Sequence, residues 1–407
     1  MHEWSEQHKQ IRAMIRRFIE TEIVPKREEI EFGDTPPYDV LRKMLKTFGI
    51  GDMAKAQFLK AIEKEKKGEG TASLGESKKA GPEAADARAM QLLPIIELCR
   101  YSPGMVTALG VSIGLTAGAI ISRGTTAQKE RFVPELLTLE KVGAWAITEP
   151  GSGSDAFGSM KATARRDGDD YILNGSKTFI TNGPYADTIV FICKLDDGSP
   201  EAQRKIVSFI LDKGTEGLTQ TPPLRKMGMH SSPTGELFLE DVRVPKDRLL
   251  GETEEQPARS GAKDTFTAER SGVPAMALGM VERCLELSLD YAKTRVQFGK
   301  PIGDFQLIQL KIAKMEVARM NLQNLVFRQI ALAGAGKEMS LAEASAGKLY
   351  AAQTAMDVTL EAVQLFGGNG YMAEYQVEQL CRDAKVLQIY GGTDEIQISQ
   401  IARSLLA

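Results

Sequence analysis

Histidine is nearly absent from this chain of 407 residues: only His2, His8 and His230 occur. Two of them sit at or beside the first helix, so histidine chemistry rests on His230 alone. The inventory argues against a catalytic triad or a histidine-rich metal site. Cys99, Cys193, Cys284 and Cys381 are scattered, with no CxxC pair. They read as reduced, buried thiols, and no metal centre is expected. Proton chemistry therefore falls to carboxylates, tyrosine, lysine or a cofactor. Neither GxGxxG after a strand nor GxxxxGK[ST] occurs, which removes the Rossmann and P-loop phosphate sites. What remains is a set of polar, glycine-broken blocks. Ala144–Asp155 (AWAITEPGSGSD) reads as a buried strand end running into a turn of free N–H groups and small hydroxyls. Leu173–Gly183 (LNGSKTFITNG) carries two Asn-Gly pairs, each a hairpin signal. Arg295–Gly299 (RVQFG), Gln364–Gly370 (QLFGGNG) and Tyr390–Ile396 (YGGTDEI) follow.

These blocks must be held by elements of two periods. Ile11, Ile15, Phe18 and Ile19 mark one face of a first helix that Pro25 is expected to end. Tyr38–Phe48 reads as a second helix closed by Gly49. Asp52–Pro82 reads as a helix followed by a loop from about Gly68. Ala84–Gly124 gives two more helices and Ala127–Leu137 another. Near Val142 the period falls to two. Lys161–Arg165, Tyr171–Asn174, Lys177–Thr181, Thr188–Lys194, Lys205–Leu211 and Glu236–Val242 are strand-like, with Phe179 facing opposite to Thr178 and Ile180. Glu252–Lys263 reads as a polar linker. Helical period then returns over Asp264–Arg295, Phe305–Ala333, Leu341–Phe366 and Ile396–Leu406, an antiparallel bundle. The fold class is α+β and multidomain: an N-terminal helical domain (1–140), a middle β-barrel or sandwich (141–251) and a C-terminal four-helix bundle (252–407).

Composition is that of an ordinary globular chain, and the net charge of −3 disfavours nucleic acid and anionic membrane surfaces. The most apolar run, Val106–Ile121, is broken by Gly110, Gly114 and Gly118 and falls short of a membrane span. The N-terminus is mixed in charge and lacks the apolar core of a signal peptide, which points to the cytoplasm.

The five blocks, in order and spacing, resemble the acyl-CoA dehydrogenase family; Gly391 together with Glu269-Arg270 resembles its subgroup of isovaleryl-CoA and long-chain enzymes. The resemblance spans Trp4 to Leu406. It implies FAD bound between the β-domain and the C-terminal helices. By this resemblance Trp145 and Thr148 lie beside the flavin ring, Phe179 takes a position where the family often has tryptophan, and Thr181 bonds near flavin N5. Arg295, Gln297 and Phe298 correspond to residues reaching the FAD of a neighbouring subunit. Gln364, Gly367 and Gly368 resemble its pyrophosphate contact, Thr393 another, and Glu395 a ribose contact. Those roles imply a dimer at least and a homotetramer as the usual state. Ser154, Phe266, Arg270 and Tyr390 match positions along the acyl-CoA. Arginine is usual in the family at His230 and aspartate at Pro233, so this chain departs there; His230 reads as structural.

The sharpest departure is Gly391. Many family members carry there the glutamate that removes the substrate α-proton, and glycine cannot. The subgroup instead places its base in a Glu-Arg pair on the first C-terminal helix, which the resemblance maps to Glu269-Arg270, with Asp264 as fallback. The Gly391 N–H remains a donor for the thioester carbonyl, and the vacated space reads as room for branched or bulky acyl groups. The implied reaction is α,β-dehydrogenation of an acyl-CoA to a trans-2-enoyl-CoA, with electrons passed to electron-transfer flavoprotein. Other readings are altered chemistry on an acyl-CoA (desulfinase-like or decarboxylating) and a non-catalytic flavin- or acyl-CoA-binding protein.

Overall fold

A computed structural model describes residues 3–33, 35–70, 80–255 and 258–406, without the side chains of 258–265. Helix α1 (Glu6–Phe18) starts where the Ser5 side chain accepts the His8 N–H. Pro25 does not stop it. The chain passes through a π-helical turn at Ile19–Ile23 and a 3₁₀ turn at Val24–Lys26 into α2 (Arg27–Glu31). Pro25 falls in the first turn of the 3₁₀ segment, where a missing N–H costs nothing. Gly49 at φ +65° follows α3 (Tyr38–Thr47) and also starts α4 (Ile50–Lys66). Then come α5 (Pro82–Cys99), α6 (Pro103–Leu109), a π-helical stretch (Gly110–Ala117), α7 (Gly118–Arg123) and α8 (Thr126–Leu137). Gly110, Gly114 and Gly118 therefore do not break the helix. Pro103–Arg123 is a continuous rod, long and apolar enough by length and composition to cross a membrane, with half of it buried in the protein.

The β-region is one curled sheet rather than two layers. Its strands are β1 (Gly143–Ala146), β2 (Thr163–Asp167), β3 (Asp170–Thr181), β4 (Thr188–Asp196), β5 (Ile206–Asp212), β6 (Leu218–Gln220) and β7 (Thr234–Pro245). They pair in the order β1-β4-β2-β3-β7-β6, with β5 also on β4. Asn174-Gly175 is not a hairpin. The two expected strands flanking it are one strand, β3, whose register against β7 slips at Leu173/Gly175 and again at Lys177/Ile180. Gly175 (φ +149°) is needed because a Cβ there would lie 2.6 Å from that of Ala162. Ile189, Phe191, Cys193 and Leu195 of β4 face one core, and Val190 and Ile192 face another beneath Phe58, Ile120 and Phe132. A strand covered on both faces is apolar throughout, as β4 is.

The C-terminal part is α9 (Ala258–Thr294), a hairpin of β8 (Val296–Gln297) and β9 (Lys300–Pro301), α10 (Gln306–Gly334), α11 (Leu341–Phe366), α12 (Gln376–Val386) and α13 (Asp394–Leu406). The expected linker thus already contains the start of α9, and α12 was not foreseen. The N- and C-terminal helices share one apolar core: Ile19, Leu41, Leu92 and Ile96 pack in the same cluster as Leu278, Val281, Ala355 and Leu380.

Where these parts meet the sheet, His230 sets Nδ1 2.6 Å from the Glu31 carbonyl oxygen and Nε2 2.9 Å from that of Lys226. This agrees with a structural role. Both Glu31 carboxylate oxygens are buried without a hydrogen-bond partner. Burial, and then the Asp383 carboxylate, push the Glu31 carboxyl up to about 8.

Candidate active site

Helix α9 brings Phe266, Glu269 and Arg270 to one face, since residues three and four apart are neighbours on a helix. The turn between α12 and α13 brings Tyr390–Thr393 against them. Gly391 and Gly392 both have left-handed backbones, at φ +62° and +91°. A Cβ added at Gly391 would stand 3.3 Å from Cδ of Glu269 and 3.4 and 3.6 Å from its two oxygens. The Glu269 carboxylate therefore abuts the space that Gly391 leaves. Desolvation pushes the Glu269 carboxyl up, opposed by the charges of Arg270 and Lys348. A carboxylate so placed is a proton acceptor of increased basicity. Asp264 falls among the side chains not described.

Arg270 is buried. Its Nε donates to the Gly391 carbonyl at 3.2 Å and Nη1 to Ser345 Oγ at 3.0 Å. Its guanidinium also lies 5.5 Å over the Phe266 ring. It is thus spent on the turn and on α11. Tyr390 points its hydroxyl at Met276 Sδ, 3.5 Å away. Among the described residues, the Gly391 N–H has no intramolecular acceptor.

The sheet supplies a second wall. Trp145 meets Phe266 edge-on (centroids 6.4 Å apart, 87° between planes), and Phe157 meets it at 6.2 Å. The Trp145 indole N–H is buried without an acceptor. The Thr178 N–H donates to the Thr148 carbonyl at 2.9 Å, which binds the end of β1 to β3. Phe179 is 68 % exposed at φ +56°, inside the second slip of β3. A large apolar side chain held outward on a strained backbone marks a functional surface. An orphaned indole donor, an exposed aromatic, and Thr148 and Thr181 on the joined strand ends fit a flat heteroaromatic ring with polar edges, as a flavin is.

This wall is braced from behind by residues that sequence reasoning missed. Lys177 is fully buried, and its ammonium donates to Glu149 Oε1 at 2.8 Å and to the Ile147 carbonyl at 3.0 Å. Glu149 also accepts the N–H groups of Lys161 and Ala162. Glu149, in the TEPG turn, is consequently a bracket rather than an acid. Lys348 and Gln397 were missed too; both are buried against Gly391–Gly392. A signal for Lys348 existed: it lies four residues after Ala344 and seven before Ala355, on the buried small-residue stripe of α11.

The remaining expected cofactor residues stand apart. Arg295, Gln297 and Phe298 are on the β8–β9 hairpin, with Phe298 94 % exposed. Gln364, Gly367 and Gly368 are exposed at the end of α11. Among the described residues, no hydrogen bond, ion pair or ring contact joins either group to Trp145, Thr148, Phe179 or Thr181. Thr393 caps α13, accepting the Ile396 N–H, and Glu395 is exposed in its first turn. Ser154 is exposed on the turn after β1.

Comparison with known proteins covers the whole chain. Residues 5–140, 144–242 and 260–406 match, in order, the N-terminal, middle and C-terminal domain models of acyl-CoA dehydrogenase. A short-chain-specific acyl-CoA dehydrogenase of Megasphaera elsdenii is 41 % identical over 77 % of this chain and 81 % of its own. A 3-(aryl)acrylate reductase of Clostridium sporogenes is 37 % identical over 99 % of both. The solved butyryl-CoA dehydrogenase of Megasphaera elsdenii superposes with a TM-score of 0.81 at 33 % identity, covering 100 % of each chain. With a carboxylate against a left-handed double-glycine turn, beside a wall shaped for a flavin, the chain belongs to the acyl-CoA dehydrogenase family and is an FAD-dependent oxidoreductase acting on acyl-CoA thioesters.

Proposed function

We propose that the protein dehydrogenates an acyl-CoA thioester between its α- and β-carbons, with Glu269 as the base. The observation that carries this is the Glu269 carboxylate lying where a side chain on Gly391 would project. The thioester carbonyl lies against the Gly391 N–H, a donor worth roughly 2–4 kcal/mol as negative charge develops on that oxygen. Glu269 takes the α-proton beside the aromatic wall, and desolvation raises its basicity for the task. Bound FAD supplies the two-electron acceptor that takes the β-hydrogen as hydride. Trp145, Thr148, Phe179, Thr181, Thr393 and Glu395 hold it from this chain. Ser154, Phe266 and Tyr390 line the acyl-CoA, and Arg270 keeps the turn and Glu269 in register.

Arg295, Gln297, Phe298, Gln364, Gly367 and Gly368 complete the FAD site of a neighbouring subunit, in a homotetramer. Their exposure supports this, as do Leu307, Leu310 and Val317 on α10, all at least half exposed. Electron-transfer flavoprotein receives the electrons, and the cytoplasm is the compartment. A panel of acyl-CoAs of different length and branching, mixed anaerobically with the yellow protein, tests the reading. At least one should bleach the flavin, and Glu269→Gln should abolish the bleaching while the acyl-CoA still binds. Bleaching at the parent rate in Glu269→Gln would remove Glu269 as the base.

A further inference from the structure

Lys348 is fully buried on α11. Its ammonium donates to the Gly392 carbonyl at 2.8 Å and lies 3.5 Å from Asp394 Oδ1. Gln397 Nε2 donates to the carbonyls of Gly391 and Gly392 at 3.1 and 2.8 Å, and Arg270 Nε to that of Gly391 at 3.2 Å. Two consecutive carbonyls thus collect donors from α9, α11 and α13. Gln397 alone would satisfy both. Burying an ammonium is costly, and a neutral side chain would avoid that cost if hydrogen bonding were the only need. What Lys348 adds is charge. It reaches the turn from α11 at the Gly392 carbonyl, while the Glu269 carboxylate reaches it from α9 at Gly391.

We propose that Lys348 is a positioning residue for the base: from α11 it fixes the Gly391–Gly392 turn and, through its charge, keeps the Glu269 carboxylate ionised. This rests on the reading of Glu269 as the base. Among the described residues, the charged and titratable groups acting on that carboxylate are Arg270 on α9, Lys348 on α11 and Tyr390 in the turn, while Asp394 at the start of α13 pairs with Lys348. Arg270 is already engaged by Gly391 and Ser345. Asp394 partly neutralises Lys348, so the two act on Glu269 in opposite directions. Burial raises the Glu269 carboxyl, and the nearby cations restrain that rise.

The test uses the FAD-loaded protein with carbon-13 at the glutamate carboxyl carbons, and Glu269→Gln to assign the resonance. In Lys348→Met the Glu269 titration midpoint should move up by about one pH unit, as loss of a nearby opposite charge requires. Lys348→Arg should keep it near the parent value, and Asp394→Asn should move it down. The acid limb of flavin bleaching by acyl-CoA should move in the same directions. An unmoved midpoint in a Lys348→Met protein that holds FAD overturns the proposal. So does a uniform loss of rate with the limb in place, the signature of a purely structural lysine. Should Lys348→Met not fold, absence of the downward shift in Asp394→Asn overturns it. A parent protein that no acyl-CoA bleaches would defeat the functional reading, and the carboxyl titration would still judge Lys348.

Discussion

Glu269 holds a negative charge where its surroundings resist one, and two measurements follow. Glu269→Gln should lower turnover by roughly 10²–10⁴-fold, the usual worth of a positioned base. The same variant should outlast the parent in denaturant as the pH rises. The folded Glu269 carboxyl is raised above its ordinary value, so its contribution to stability is full at low pH and is lost on going alkaline. Glutamine never ionises and escapes that loss; equal stability of the two proteins from pH 5 to 8 would contradict it. Gly391→Glu placed on Glu269→Gln should recover part of the turnover, best with short unbranched acyl-CoAs. The new Cβ would start 3.3 Å from Cδ of residue 269 in the parent geometry. Recovery should be incomplete, because a side chain at φ +62° costs on the order of 1 kcal/mol and a misplacement of about 1 Å costs roughly a hundredfold. Single-turnover flavin reduction in the double variant reads this directly. At this scale the family resemblance, and not residue types alone, pairs the missing side chain at Gly391 with the carboxylate at Glu269. That the carboxylate abuts the vacancy depends on how α9 meets the turn, which residue types do not encode.

Strand β3 shows what local pattern conceals. Asn174-Gly175 reads as a two-residue turn, because that pair suits the positive φ angles of a hairpin. Here it serves a bulge, since the backbone of Ala162 crosses close by. Likewise Lys177 should face water in a half-buried strand, and instead its ammonium closes an ion pair with Glu149 inside the sheet. Burial draws the Lys177 ammonium down, with Glu149 opposing. Lys177→Met should therefore destabilise the protein by about 3–5 kcal/mol, because it leaves a buried carboxylate unpaired. Adding Glu149→Leu should recover most of that loss, although the Lys161 and Ala162 N–H groups then lose their acceptor. Chemical denaturation of the single and double variants checks the sign of the coupling, and FAD content should fall with the single variant if this pair braces the flavin wall. Helices are easier to read: the sequence delimits Leu341–Phe366 to the residue, because the Ser340–Glu343 capping box marks its start and Gly367 its end. Helix α12 escapes such a reading because it is short and its buried face sets Gln379 and Asp383 among Val377, Leu380 and Ala384.

At the scale of the whole molecule, the contact of α2, α12 and the loop before β7 offers a stability test. Glu31 keeps its proton to about pH 8 against an ordinary 4.5. Its contribution is thus full below 4.5 and is lost as pH rises through 8. Lys226, drawn down to about 8 by burial, works in the opposite sense above that pH. His230→Arg would bring a guanidinium to the two Glu31 oxygens, which lack a hydrogen bond and have His230 Nδ1 only at 3.7 Å from Oε2. It should stabilise the protein, by roughly 1–3 kcal/mol, and more at pH 8 than at pH 5; thermal melts at both values decide, and a loss of stability at both would refute it. Light scattering should return a tetramer, and a monomer holding one FAD per chain would contradict the shared-site reading. The architecture of helices, sheet and helices is visible from periodicity alone, but the merging of the first and last helices into one core is not. That merger carries a consequence for how the protein is made. Leu41 and Leu92 leave the ribosome long before Leu278 and Leu380, which belong to the same core. The first helices must wait, half-dressed, for the end of translation, whereas the sheet can close on its own strands midway. A ribosome stalled after Gly251 should display a protease-resistant β-region preceded by helices that a protease, or a chaperone, can still reach.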